Sequence, residues 1–100
     1  MTEITQGDIL KLENISVPIY VVSKSFFNSS GGIIGCPIVK NSEKTATHFP
    51  INLDNIKGYV LSEQVRFFDI KIRGYKFVAR SNLNTMTEIV DTVQGFFDFS

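Results

Sequence analysis

The chain has 100 residues and a mass of 11.2 kDa, with 43% hydrophobic residues, 20% charged residues and no net charge. Such a composition predicts one small globular domain over 1–100. It is too short for a second core, too apolar for disorder, and too neutral to be held on nucleic acid by bulk charge alone. Cys36 is the one cysteine, which excludes an internal disulfide and a multi-cysteine zinc site and fits a reducing cytoplasm. Met1 to Gln6 is polar, and the apolar runs fall far short of the ~20 residues that cross a bilayer. A soluble cytoplasmic protein without a membrane partner is expected.

Gly7-Asp8 reads as a turn that launches a strand over Ile9–Glu13. Val17–Val22 is the densest β-branched and aromatic run, which predicts a buried strand with Pro18 at its start or on an edge. Ser23–Asn28 predicts one helical turn carrying Phe26 and Phe27, and Ser29–Gly32 is a turn signal. Ile33–Val39 is a second apolar run, in which Gly35 signals a bulge or a close backbone approach. Lys40–Thr47 is polar and predicts a loop. Phe49, Ile51 and Leu53 alternate with Pro50 and Asn52, the period of a half-buried strand. Asp54–Gly58 reads as a turn. Tyr59–Phe68 follows as one long strand or two joined at a bend. Asp69–Gly74 is a short connection, and Tyr75–Ala79 is a last strand. Then the period changes. Thr85 and Glu88 have capping-box spacing, and Met86, Ile89, Val90, Val93, Phe96 and Phe97 recur at helical spacing. An amphipathic helix should therefore bury Ile89, Val93 and Phe97. Five to seven short strands with one closing helix predict a mostly β fold, a small bent sheet or partial barrel.

The charge is neutral overall but unevenly placed. Residues 57–80 carry six bases (Lys57, Arg66, Lys71, Arg73, Lys76 and Arg80) against two acids, a net of +4. Interleaved with Phe67, Phe68, Tyr75 and Phe77, this stretch could follow a phosphate backbone or could be a solvated sheet face. There is no glycine-rich phosphate loop, no paired-histidine metal motif and no nucleophile elbow, so neither a metal nor a cofactor is expected. His48 is the single histidine and a candidate general base. Cys36, inside an apolar run, reads as a buried inert thiol. Glu63 and Asp69 are either an acid–base pair or salt-bridge partners of Arg66 and Arg73.

Several segments together carry a family resemblance. They are Gly7-Asp8-Ile9-Leu10, Pro18-Ile19-Tyr20-Val21-Val22-Ser23, Phe27-Asn28, Cys36-Pro37-Ile38-Val39 and the run from Gly58-Tyr59-Val60-Leu61 through Glu63-Gln64-Val65-Arg66 to Asp69. The chain resembles the MazF/PemK (Kid) group of bacterial toxins over roughly residues 6–99. The resemblance implies an SH3-like or CcdB-like barrel, a homodimer, and metal-independent cleavage of single-stranded RNA. In that chemistry the ribose 2'-hydroxyl attacks the phosphate and leaves a cyclic phosphate. It also implies an antitoxin partner whose acidic, flexible tail covers the RNA site.

This chain departs from the family pattern in three places. The loop between the first two strands is much shortened, Val17 stands where the family's catalytic Arg is expected, and Val39 stands where its Thr is expected. Valine can neither neutralise charge nor donate a hydrogen bond. The candidates that carry over are Glu63, Gln64 and Arg66, although Gln64 and Arg66 could equally stabilise the bend and pair with Asp69. Lys40, Ser42 and His48 lie near the altered strand end and could substitute for what is missing. Arg66, Glu63 and His48 are the expected catalytic residues. Gln64, Lys40, Ser42, Lys71 and Arg73 are the expected RNA contacts. Two further readings stand beside this one: a non-catalytic RNA- or protein-binding module, and a CcdB-like topoisomerase poison acting through its aromatic C-terminus, Phe96 to Ser100.

Overall fold

In the computed structural model, residues 3–53 and 55–97 are described. Seven strands and two helices follow in the order β1 (Asp8–Leu12), β2 (Ile19–Val21), α1 (Ser25–Asn28), β3 (Gly32–Val39), β4 (His48–Leu53), β5 (Ile56–Leu61), β6 (Arg66–Asp69), β7 (Tyr75–Arg80) and α2 (Leu83–Gly95). A single turn of 3-10 helix, Ser62–Gln64, joins β5 to β6. All pairings are antiparallel, and the strands run in space β4-β5-β3-β2-β1-β7.

The long strand β3 organises the sheet. Its first half, Gly32 to Gly35, pairs with β6, and its end, Ile38 and Val39, pairs with β5. On its other edge Val21, Tyr20 and Ile19 of β2 run opposite Gly35, Cys36 and Pro37. This bent strand curls the sheet and gives it two apolar faces. One buries Ile9, Tyr20, Cys36, Ile38 and Val60 together with Ile89 and Val93 of α2, so the helix closes the concave side. The other buries Leu10, Leu12, Ile19, Val21, Ile33 and Phe68. Alternation along β1 thus serves both cores, with Ile9 in one and Leu10 in the other.

Two glycines are required by geometry. Gly7 sits at φ +92° in the turn before β1, a conformation that costs a residue with a Cβ. A Cβ on Gly35 would lie 2.5 Å from Ile19 Cγ2 and 2.9 Å from the Tyr20 carbonyl oxygen. The glycine in the apolar run therefore marks a close approach of β2.

Four expectations need correction. β2 covers only Ile19–Val21, since Pro18 has no N–H for the ladder and instead accepts from Ile38 N–H at 2.9 Å. The turn expected over Asp54–Gly58 is tighter, because β5 already begins at Ile56. Helix α2 begins two residues before Thr85. Asn82 is its N-cap, accepting from Thr85 N–H at 2.8 Å, so Thr85 is a recipient and not the cap. Phe97, expected in the core, is 63% exposed at the end of the helix. Of Phe96 to Ser100, on which the CcdB-like reading rested, Phe96 and Phe97 are exposed, and Asp98, Phe99 and Ser100 lie outside the described residues. Among the described residues, no helix is long and apolar enough to cross a membrane.

Candidate functional site

His48 opens β4 and lies opposite Leu61, the last residue of β5. The chain then turns sharply through Ser62–Gln64, which brings Glu63 back over the imidazole. His48 Nε2 lies 2.9 Å from Glu63 Oε2, and His48 Nδ1 lies 2.9 Å from Ser42 Oγ. Three side chains from a loop, a strand and a turn thus form one hydrogen-bonded chain.

The backbone around them is fixed independently. Ser62, fully buried, donates its hydroxyl and its N–H to the Thr47 carbonyl at 2.6 and 3.0 Å. Thr45 Oγ1 accepts the N–H groups of Thr47 and His48 at 3.2 and 3.0 Å. Serine and threonine at these positions tie the loop to β4 by local turn bonds.

An ionised carboxylate can only accept, so Nε2 carries the imidazole proton. The lone pair of Nδ1 is then free to accept, and Ser42 donates to it. Burial alone would raise the Glu63 carboxyl, but hydrogen bonds led by that from His48 outweigh this and hold it below its usual value. The His48 and Glu63 side chains are 23% and 40% exposed, so a ligand can reach both from solvent. Cys36 lies under this corner with Sγ 3.9 Å from the Ser62 carbonyl oxygen. Burial, with the Glu63 charge as a second cause, pushes its thiol up to about 12. It is an inert core thiol.

The other expected residues separate into two groups. Lys40 follows the last residue of β3 and borders the same cleft as Ser42. Gln64 is exposed in the 3-10 turn. Arg66 begins β6 opposite Gly35, with its guanidinium 4.9 Å above the Phe68 ring. Lys71 and Arg73 are elsewhere. The Lys71 stem packs where a side chain on Gly31 would stand, at the start of β3. Lys40 lies just past its far end, ~30 Å away along the chain. Arg73 is fastened to the β1–β2 turn, donating to the Glu13 carbonyl at 3.0 Å.

Among the described residues, neither Glu63 nor Asp69 forms an ion pair with Arg66 or Arg73, so the salt-bridge alternative and the Arg66–Asp69 pairing do not hold. Glu63 is engaged by His48, and Asp69 accepts the Lys71 N–H at 2.9 Å. The ion pair that sequence reading missed is Asp8 with Arg80, at 2.7 Å, and Asp8 is almost fully buried. Among the described residues, no three His, Cys, Asp or Glu side chains are grouped to hold a metal ion.

Val17 and Val39 lie near each other in space, since the β2–β3 register carries Ile19↔Pro37 toward them. Both are half-buried, and Val17 packs on the second core.

Comparison with known proteins decides the family. The sequence profile of the PemK-like, MazF-like toxins of type II toxin-antitoxin systems matches residues 13–97. The chain belongs to the PemK/MazF toxin family. A MazE-MazF structure from Deinococcus radiodurans superposes with a TM-score of 0.87 at 17% identity, over 100% of each chain. An endoribonuclease from a mycobacterial species superposes at 0.81 and 14% identity, over 97% of this chain and 93% of that one. An endoribonuclease from a mycobacterial species in complex with its cognate antitoxin superposes at 0.76 and 15% identity, over 92% of this chain and 95% of that one. At these identities the likeness is one of fold, and it agrees with the curled antiparallel sheet and C-terminal helix of this chain. No curated protein sequence matches the chain.

Proposed function

We propose that this PemK/MazF family chain is a toxin endoribonuclease whose proton-transfer site has been rebuilt around His48. The observation that carries this reading is the double anchoring of the imidazole, by Glu63 on Nε2 and by Ser42 on Nδ1. Glu63 sets the tautomer and stabilises the imidazolium that forms when Nδ1 takes a proton. The Ser42 hydroxyl occupies the place a ribose 2'-hydroxyl would take on binding.

In the proposed reaction, Nδ1 accepts the 2'-hydroxyl proton as the 2'-oxygen bonds to phosphorus. The bond from phosphorus to the 5'-oxygen breaks, that oxygen takes up a proton from water, the imidazolium returns its proton to solvent, and a 2',3'-cyclic phosphate remains. Lys40, beside Ser42, supplies positive charge to the phosphate oxygens. Gln64 and Arg66, beyond Glu63, are assigned to flanking nucleotides.

Family membership and the solved MazE-MazF and endoribonuclease–antitoxin complexes support an antitoxin as partner, while single-stranded RNA as substrate, a homodimer and a reducing cytoplasm are taken over from the family resemblance and from Cys36. For the dimer, Phe26 and Phe67 are 79% and 58% exposed, and Phe27 meets Phe67 edge-on at 6.4 Å. A second reading, a barrel that binds RNA or protein without cutting it, is favoured by the apolar Val17 and Val39 and predicts binding without turnover.

The test is incubation of the purified protein with a long mixed-sequence RNA in EDTA, with His48→Ala alongside, which should lose the cuts. Site-specific cuts ending in cyclic phosphate are expected from the wild type. Intact RNA would contradict the proposal and favour the second reading.

A further inference from the structure

A run of clefts leads away from Ser42 across the open edge of the barrel, and its lining is basic. The first cleft, shared by Ser42, Lys40, Lys57 and Tyr59, lies over the β4–β5 hairpin. Lys40 and Lys57 also line the next cleft, of about 500 Å³, whose opposite wall carries Lys11, Lys76 and Phe77. Four lysines from β1, the end of β3, β5 and β7 therefore line one path, Lys11 with its ammonium donating to the Ser16 carbonyl at 3.0 Å. No carboxylate among the described residues lines either cleft. The path is built by pairing. Lys11 and Lys76 are opposite each other in the β1–β7 register, while Val39 opposite Tyr59 carries Lys40 toward Gly58, so that it shares both clefts with Lys57. Asn55 Nδ2 donates to the Val78 carbonyl at 3.2 Å and links the two walls. Phe77, 51% exposed, offers a ring beside the lysines on which a base can stack.

We infer that Lys40, Lys57, Lys76 and Lys11 form a phosphate track that holds the single-stranded RNA strand leading to the Ser42–His48 site. The inference rests on the ribonuclease reading for its destination, but its binding claim is tested separately. It assigns strand positioning to Lys11, Lys57 and Lys76, and it routes the strand away from Lys71 and Arg73. The adjoining His48 site and the exposed aromatic ring favour RNA over an acidic peptide.

The experiment measures binding of a fluorescent, fully 2'-O-methylated mixed-sequence oligoribonucleotide, which cannot be cleaved, as a function of salt. Neutralising four phosphates gives a slope of log K on log salt near −2.8, or about a 50-fold loss from 50 to 200 mM. Lys57→Ala with Lys76→Ala should halve the slope and leave about a 7-fold loss over the same range. Lys57→Arg with Lys76→Arg should restore it, which separates lost charge from lost folding. Lys71→Ala with Arg73→Ala should leave the slope unchanged.

An unchanged slope in the Lys57/Lys76 alanine pair would overturn the track. So would an equal loss in the Lys71/Arg73 pair, or capture of a polyglutamate peptide by a protein that leaves the oligonucleotide unbound. Failure to cleave ordinary RNA, with the slope as predicted, would instead count against the ribonuclease reading alone.

Discussion

Replacing Glu63 by Gln separates the parts of the proposed site. The carboxylate does not touch the reacting atoms in the proposed reaction. It holds the Nε2 proton at 2.9 Å and faces the positive charge that appears on the ring during proton transfer. Two unit charges about 4 Å apart interact by about 1 kcal/mol in water and about 4 kcal/mol near a protein surface. The partners are 23% and 40% exposed, which places this pair toward the screened end. A loss of about 1–2 kcal/mol, roughly 5- to 30-fold in rate, follows from 1.36 kcal/mol per factor of ten. Removal of the base itself, in His48→Ala, should cost about 10²–10⁴-fold. Ser42→Ala removes the Nδ1 anchor of the free protein, a bond that the substrate hydroxyl replaces on binding, so its loss should be smaller than that of Glu63→Gln. Single-turnover cleavage of a short RNA by the three variants measures the ordering. A Glu63→Gln loss as large as that of His48→Ala would refute the argument and make the carboxylate the base. A large loss in Ser42→Ala would make the serine a participant.

Three further outcomes test the structure beneath the site. Gly35→Ala drives a Cβ against Ile19 and the Tyr20 carbonyl, and should destabilise the protein by about 1–3 kcal/mol in urea unfolding. A wild-type midpoint would mean that β2 is not packed as described. Cys36, with its thiol pushed up to about 12, should resist iodoacetamide in native buffer and react in urea, as read by mass. Rapid native labelling would place the thiol at the surface. Glu63 is held below its usual value, so its ionised form contributes stability above the unfolded carboxyl's titration near 4.5. That contribution is lost as the pH falls through the lowered folded value. Urea midpoints at pH 7 and pH 3 should therefore differ less for Glu63→Gln than for the wild type, and equal differences would exclude the linkage.

Local pattern gave much of the architecture. The alternation of Phe49, Ile51 and Leu53 matches β4, where Ile51 is buried and Pro50 and Asn52 are exposed. The change of period after residue 80 matches α2, with Ile89 and Val93 inward. The errors are local competitions. Asn82 and Thr85 are both good caps, and only the chain's path after β7 selects Asn82. Phe97 continues the helical spacing beyond the point where α2 still faces the core.

The site was legible as residue types and not as an arrangement. Ser42, His48 and Glu63 are spread over 22 positions, and the β4–β5 register brings them together. The same register logic divides the basic stretch. β3 pairs with β6 at one end and β5 at the other, so Lys71 and Lys57 end up far apart in the fold. Lys11, outside that stretch in sequence, joins Lys76 through β1–β7 pairing. Long-range strand pairing has no signature in composition or local period.

The most direct test of the central claim is a quantitative comparison of wild type and His48→Ala on one long mixed-sequence RNA in EDTA, with the ends of each product identified. Site-specific cuts with cyclic phosphate ends are expected from the wild type, slowed by about 10²–10⁴-fold in the variant while its fold is intact. Undiminished cutting by His48→Ala, or no cutting by either protein, would contradict that claim.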